Sequence, residues 1–294
     1  MTLKKDGNFG NLFNNKSRVA YTHSGVFHAD DVCSTALLKI VFPDMEIRRV
    51  SKVPKDAEFA FDIGLGKYDH HQPDAEERTD GSLYAAFGLL WRDIGHRIMS
   101  QHDADIFDRC FVRGIDYTDT TGKPNPFSSI INAFNPSWDE DKSSDEAFWE
   151  AVEFATVALK KQFERVKSSE KAEKVVRDII ANKECYPTEH SLRLEFYLPY
   201  QRETCKKNIW YVTFPSNRDI GYWNICTVPI SMEEPTSQRA PLLEEWVNGE
   251  KPKGCSFVHP AKFLACFEDY ESAVNALEIL EKRYESENLS YPKA

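Results

Sequence analysis

The chain has 294 residues, of which 41% are hydrophobic, 13% aromatic and 29% charged, a composition typical of globular proteins with substantial cores. Its length favours two domains, and its net charge of −10 excludes a protein that binds nucleic acid through an overall positive charge. No segment approaches the roughly 20 apolar residues of a membrane span. The polar N-terminus lacks the features of a secretory signal or an import leader, so we expect a cytoplasmic protein.

The first part of the chain alternates short apolar runs with helical patterns, which is typical of β–α units around a parallel sheet. We expect residues 1–17 to form a flexible arm and residues 18–138 to form this α/β domain. The predicted elements, in chain order, are strand Arg18–His23, helix Asp31–Val41, strands Glu46–Ser51 and Phe59–Ile63, a helix with an apolar stripe from Leu83 to Ile98, and a helix that Asp103 caps and that ends near Gly114.

The acidic stretch Asp139–Glu146 predicts a domain boundary. Residues 139–190 are expected to form a long helical linker, because apolar residues recur at helical spacing from Phe148 to Val166. Residues 191–294 are expected to form a smaller α+β domain. Its predicted elements are strands Leu192–Leu198, Ile209–Phe214, Trp223–Val228 and Ser256–His259, and a closing helix Tyr270–Glu285.

Histidine and acidic residues collect at the ends of the predicted elements of the first domain. They are His23, His28, Asp30, Asp62, the run Asp69, His70 and His71, and Asp116. Because ligands gather at the carboxyl ends of parallel strands, we expect these side chains to converge. Asp62 lies among apolar residues and needs a cation or several donors, although Asp30 by itself also suits a helix cap. Imidazole and carboxylate ligands favour manganese or magnesium over a thiolate zinc site.

Such a set of ligands is suited to two neighbouring divalent ions. Two ions that share a carboxylate and a water ionise that water near neutral pH and neutralise charge on the attacking and leaving oxygens. The sequence therefore favours hydrolysis of a phosphoester or a phosphoanhydride.

Five segments carry a resemblance to a known family. They are Thr22–Asp31 (THSGVFHADD), Tyr68–Gln72 (YDHHQ), Phe134–Trp138 (FNPSW), Arg239–Trp246 (RAPLLEEW) and Gly254–His259 (GCSFVH). With these segments the chain resembles the DHH phosphoesterase superfamily, which includes the RecJ exonucleases and the family II inorganic pyrophosphatases. It is most similar to the melanocyte-proliferating-gene (Myg) branch of 3′–5′ RNA exonucleases, over about residues 18 to 280.

The resemblance implies two bound divalent ions, with manganese preferred and magnesium possible. It implies that the first ion is held by His23, His28 and Asp62, and the second by Asp30, Asp62, His70 and Asp116. Asp69 would then orient an imidazole, and His71 would contact the substrate phosphate and serve as acid to the leaving oxygen. The implied substrate is RNA or a short oligonucleotide.

The second domain is expected to recognise the substrate. Arg239 and His259 are the candidates for phosphate contact. The family places glycines after its F-V-H sequence, whereas Pro260–Cys266 has none, and Lys262 offers a charge in their place. This departure and the acidic total charge leave open a small nucleotide or pyrophosphate as substrate. A metal-stabilised binding protein without catalysis is the third alternative, and the oligomeric state is left undetermined.

Overall fold

The computed structural model describes residues 19–181, 210–216, 218–229 and 238–286. The chain forms two compact units, Met1–Lys167 and Ser168–Ala294, so the first unit ends inside the segment predicted as a linker. The predicted N-terminal arm and the predicted strand Leu192–Leu198 lie outside the described residues. The chain is a mixed α/β protein, and its described residues include a small parallel sheet and an antiparallel sheet.

The first unit is built around a small parallel sheet. Its helices and strands, in chain order, are β1 (Val19–His23), α1 (Ala29–Val41), β2 (Glu46–Val50), α2 (Ala86–Ile94), α3 (Gln101–Phe107), α4 (Arg113–Thr121), α5 (Pro126–Asn132) and α6 (Ser144–Ala181), of which α6 continues beyond the unit. Strands β1 and β2 pair in parallel, with Val19 opposite Glu46 and His23 opposite Val50. Helix α1 makes the crossover that parallel strands require.

The predicted strand Phe59–Ile63 is reduced to a short extension of this sheet. The Tyr21 N–H donates to the Phe59 carbonyl (3.1 Å) and the Phe61 N–H donates to the Tyr21 carbonyl (3.0 Å). Phe59 and Phe61 are buried in the core. Pairing with β1 stops at Asp62, whose φ of 54° is a left-handed conformation that regular strands do not adopt. Asp62 thus lies at the carboxyl end of the sheet, as expected.

Two expectations for the segment from residue 101 to residue 121 are wrong. Ser100, not Asp103, caps helix α3, because its side chain accepts the Asp103 N–H (3.2 Å). The helical path does not end near Gly114. It passes through a π turn, Asp108–Val112, into α4. Gly114 suits the helix interior here because a Cβ at that position would lie 2.7 Å from Asn125 Nδ2.

The apolar stripe predicted for the long helix α6 is confirmed. Its N-terminal half packs into the core of the first unit, where Phe148, Ala151, Ala155, Leu159 and Phe163 are buried. The Phe163 ring stacks on Trp91 of α2 at 5.5 Å between centroids. The beginning of the predicted linker is therefore part of the first unit's core.

The second unit contains an antiparallel sheet of order β3-β4-β6-β5. Its elements are β3 (Tyr211–Pro215), β4 (Trp223–Thr227), α7 (Glu244–Val247), β5 (Cys255–Val258), β6 (Leu264–Phe267) and α8 (Tyr270–Ser286). Strand β6 was not predicted. It begins inside the Pro260–Cys266 segment, which lacks the glycines of the family. In the described ranges, no helix combines the length and hydropathy needed to cross a bilayer.

Candidate metal centre

Three overlapping groups of potential metal ligands meet in the first unit. Within each group, one ligand atom from every residue lies within 4.8 Å of the others. The groups are His23, Asp31 and Asp62; Asp30, Asp62, His70 and Asp119; and Asp62, Asp69, His70 and His71. Asp62 belongs to all three, so the carboxylate at the end of the sheet is the centre of the cluster.

His23 ends β1 and His28 directly precedes α1, and two side chains hold the loop between them in place. The Arg49 guanidinium, which is 2% exposed, donates to the carbonyls of His23 (3.2 Å) and Gly25 (2.6 Å). The Asn135 amide accepts the Phe27 N–H (3.1 Å) and donates to the Phe27 carbonyl (2.8 Å). The asparagine of the Phe134–Trp138 motif therefore fixes the backbone directly before His28.

The first group surrounds the His23 imidazole with carboxylates. His23 Nε2 lies 3.2 Å from Asp62 Oδ2 and 3.2 Å from Asp31 Oδ2. The hydrogen bond that His23 donates to Asp62 raises the pKa of His23 to about 9, although burial opposes this change. Asp31 Oδ1 accepts the His28 N–H at 2.8 Å, so this carboxylate both fixes the start of α1 and faces the cluster.

The second group joins residues from four parts of the unit. His70 Nε2 lies 2.8 Å from Asp119 Oδ2, and His70 Nδ1 lies 3.5 Å from Asp62 Oδ1. Asp30 is fully buried, and its two oxygens accept the N–H groups of Ala86 (3.0 Å) and Phe87 (2.7 Å) at the start of α2. Asp30 therefore caps α2 from a distant part of the chain while it faces the other ligands.

The chemistry of these residues fits a bound divalent cation. Asp62 Oδ1 and His70 Nδ1 are buried, and neither atom has a hydrogen-bond partner among the described residues. Burial raises the pKa of Asp31 to about 7, and burial together with the charges of Asp62 and Asp119 raises the pKa of Asp30 well above its usual range. Crowded carboxylates with raised pKa values are stabilised as anions when a cation lies between them.

Asp69 and His71 form a hydrogen-bonded pair at the edge of the cluster. Asp69 is buried, and its Oδ1 lies 2.7 Å from His71 Nδ1. The Asp69 carboxylate also accepts the N–H groups of Leu65 (2.6 Å), His70 (2.8 Å) and His71 (3.2 Å). The His71 side chain is 59% exposed. A fixed carboxylate thus directs an accessible imidazole, the geometry expected of an orienting pair.

The structure places Asp116, which the resemblance assigned to the second ion, outside these groups. Its Oδ2 lies 2.6 Å from Arg78 Nη2, and its Oδ1 accepts the Gly88 N–H (3.1 Å). Burial raises the pKa of Asp116 to about 7 against the opposing effect of Arg78. Asp116 lies on α4 and approaches Gly88 of α2 so closely that a Cβ on Gly88 would lie 1.9 Å from Oδ2, so this carboxylate connects α2 and α4.

Asp119 is a potential metal ligand that was not among the candidates from the sequence. It lies three residues after Asp116 on α4, on the adjoining part of the same helix face. A helix that ended near Gly114 would not contain Asp119. The helix ends instead at Gly122, whose φ of 71° suits a helix end, so the glycine that marks the true end was the available signal for Asp119.

His28 lies near the cluster and outside the three groups. Its Nδ1 is 3.9 Å from Asp119 Oδ1, and its side chain is 53% exposed. It lines a cavity of about 860 Å³ that also contains His23, Asp62, His70, His71 and Asp119. This volume lies in the range of sites for organic ligands, roughly 300–1,000 Å³.

The three candidate substrate contacts lie in the second unit. His259 Nδ1 accepts the Ala261 N–H (3.1 Å), and the His259 N–H donates to the Leu264 carbonyl (2.8 Å) in the β5–β6 hairpin. Lys262, with a φ of 59°, has its Nζ 2.8 Å from Glu244 Oε2. The Arg239 N–H donates to the Val228 carbonyl (2.9 Å). His259 and Lys262 therefore share one turn with locally paired polar atoms.

Comparisons with known proteins identify the family of this chain. A model named for the MYG1 exonuclease, and described as "uncharacterised protein family (UPF0160)", matches residues 19–279. The chain belongs to this family. It is 28% identical to a MYG1 protein of Saccharomyces cerevisiae, with 84% of the chain and 91% of the relative covered.

Other members of the MYG1 family match over similar lengths. The chain is 27% identical to a MYG1 protein of Chlamydia trachomatis, with 89% of the chain and 96% of the relative covered. It is 25% identical to the MYG1 exonuclease of Homo sapiens, with 86% of the chain and 83% of the relative covered. No solved structure matches the chain.

Proposed function

We propose that the chain is a metal-dependent phosphodiesterase of the DHH type that removes nucleotides from the 3′ end of RNA or short oligonucleotides. The observation that carries this proposal is the cluster around Asp62, in which a buried carboxylate oxygen and a buried imidazole nitrogen make no hydrogen bond to the described residues. The human relative bears the name exonuclease, which supports the same class of reaction.

The residues of the cluster divide into two sets of ligands that share Asp62. His23 and Asp62 would hold one ion, with Asp31 or His28 as the further ligand. The other ion would be held by Asp30, Asp62, His70 and Asp119. The mixture of imidazole and carboxylate ligands favours manganese over magnesium. Divalent ions bound here would supply Lewis acidity and lower the pKa of a coordinated water.

The remaining polar groups would act on the substrate. Asp69 would accept a hydrogen bond from His71 Nδ1–H, and His71 protonated on both nitrogens would donate its Nε2 proton to the leaving oxygen and become neutral. Arg239, His259 and Lys262 would contact substrate phosphates from the second unit. For Lys262 this requires exchange of its ion pair with Glu244 for a phosphate.

The test uses the full chain, stripped of metal with a chelator, and an RNA oligonucleotide labelled at either end. We expect Mn²⁺ to restore cleavage, with a descending ladder from the 5′-labelled RNA and labelled mononucleotide from the 3′-labelled RNA. Asp62→Asn should lower the rate by about 10³-fold or more, because it removes the charge shared by both ligand sets. The melting temperature of the metal-free variant serves as the folding control.

Absence of bound manganese combined with absence of cleavage would contradict the proposal. A reaction that persists undiminished in Asp62→Asn would also contradict it, and would favour a metal-stabilised binding protein.

Hydrolysis of small nucleotides or pyrophosphate is the second candidate function. The net charge of −10 and the ion pair that occupies Lys262 favour a small substrate over a long polyanion. Phosphate release from pyrophosphate, compared with cleavage of the labelled oligonucleotide by the same preparation, separates the two candidates.

A further inference from the structure

Leu65 has a backbone conformation that its residue type does not favour. Its φ is 56°, and a side chain with a Cβ adopts this left-handed region at a cost in free energy that glycine avoids. The flanking residues are both glycines, and Gly64 is itself required because a Cβ there would lie 2.9 Å from Val53 Cγ2. The chain thus has a leucine at a position in this loop where glycine would be less strained.

Burial does not compensate for this strain. The Leu65 residue is 64% exposed, so its side chain contributes little to the core. The conformation is held instead by the Leu65 N–H, which donates to Asp69 Oδ2 (2.6 Å), the carboxylate that also orients His71. Strain of this kind collects at functional sites.

The exposed leucine lines the same cavity as the metal ligands. Val26, on the loop held by Arg49 and Asn135, also lines that cavity and is 67% exposed. We call Val26 and Leu65 together the apolar lip. Single exposed apolar side chains are ordinary on protein surfaces, but here Val26 and Leu65, together with the less exposed Leu83 (36%), border a cavity whose other lining includes the carboxylates and imidazoles of the metal centre.

We propose that the apolar lip contacts the nucleobase of the nucleotide whose phosphate lies at the metal centre. This inference rests on the proposed function and narrows its substrate to phosphates that carry a base, which pyrophosphate does not. A nucleobase has a flat apolar face against which apolar side chains pack. A phosphate and a sugar have no such flat face. Aliphatic contact distinguishes no base from another, which suits an enzyme that removes successive nucleotides of any sequence.

The test measures binding of adenosine 5′-monophosphate and ribose 5-phosphate to the Mn²⁺-loaded full chain by calorimetry. The two probes carry the same phosphate and sugar and differ in the base alone. We expect the wild-type protein to prefer the nucleotide, and Leu65→Gly to weaken nucleotide binding by about tenfold, the size of effect of an aliphatic contact in a pocket. Binding of ribose 5-phosphate should not change.

Three further variants sharpen the result. Leu65→Asn keeps a residue that tolerates the left-handed conformation but removes the apolar surface, so we expect the same loss of preference for the nucleotide. Val26→Ala should give a smaller loss in the same direction. Val157→Ala removes an equally exposed valine of α6 that does not line the cavity, and should leave both affinities unchanged.

Equal affinities of the wild-type protein for the two probes would overturn the inference, as would equal weakening of both probes in Leu65→Gly. Because Leu65→Gly relieves a left-handed side chain, its melting temperature should stay within a few degrees of wild type. A protein that shows the base preference and cleaves no phosphodiester would contradict the proposed function alone. A protein that cleaves RNA without the preference would contradict the apolar lip alone.

Discussion

The metal centre and the β5–β6 turn differ in how their polar side chains are satisfied. In the metal centre, residues from β1, α1, α4 and the loops before α2 meet, and Asp62 Oδ1 and His70 Nδ1 stay without hydrogen-bond partners among the described residues. In the turn, His259 and Lys262 find partners nearby in Ala261 and Glu244. Buried polar atoms on converging segments that make no hydrogen bond indicate a ligand more strongly than charged residues that are already hydrogen-bonded.

The largest expected effect separates the two carboxylates of α4. Asp119→Asn should lower the affinity for Mn²⁺ by about 100-fold or more, because a charged ligand is lost, and leave the metal-free protein as stable as wild type. Asp116→Asn should lower the free energy of unfolding by about 3 kcal/mol, because Arg78 loses a buried anionic partner. Calorimetric metal titration and urea unfolding measure the two quantities.

The opposite pattern would contradict the roles of the two carboxylates. If Asp116→Asn weakens Mn²⁺ binding as much as Asp119→Asn and leaves stability unchanged, then Asp116 is the ligand and its pairing with Arg78 is not maintained in the metal-bound protein.

An intermediate effect is expected for the residue that fixes the loop before His28. Asn135→Ala removes both hydrogen bonds to the Phe27 backbone and should weaken Mn²⁺ binding by about tenfold, as loss of a supporting residue does. Asn135→Asp keeps the acceptor for the Phe27 N–H and should lie between the alanine variant and wild type. Reduced stability with unchanged metal affinity would show that Asn135 supports the fold alone.

The smallest effect is expected in the second unit. Lys262→Asn retains a residue that tolerates a positive φ and removes the charge, so it should raise KM for an oligonucleotide about two- to fivefold with kcat unchanged. The effect is small because the lysine exchanges one exposed ionic partner for another. A change in kcat of more than tenfold would show instead that this turn acts on the reacting phosphate, as the metal centre is proposed to do.

The sequence predicted the parts of the fold that depend on local pattern. The alternating strand β1, the crossover helix α1 and the apolar stripe of α6 are confirmed because hydrophobic periodicity determines them directly. Asp62 lies at the carboxyl end of the sheet, the position predicted from the apolar run Phe59–Ile63. Strand β6 was not predicted from the sequence. Its apolar run, Phe263–Ala265, is short and follows a segment that in the family contains glycines.

The missing ligands depend on features that local pattern does not encode. Asp119 faces the cluster because the helix continues past Gly114, where a Cβ would lie 2.7 Å from Asn125 Nδ2 at the start of α5. Asp31 contributes a second oxygen to the cluster beside its role at the start of α1, which a capping pattern alone does not show. Both depend on tertiary packing, as does the separation of Asp116 from the metal centre.

The π turn between α3 and α4 determines which way the side chains of α4 face. The Arg113 N–H bonds to the Asp108 carbonyl five residues back, so this turn contains one residue more than an α-helical turn of the same span. Each residue advances an α-helix by about 100°. Deleting one residue of the turn would therefore rotate α4 by roughly a quarter turn. This rotation would separate Asp119 from His70 and also Asp116 from Arg78.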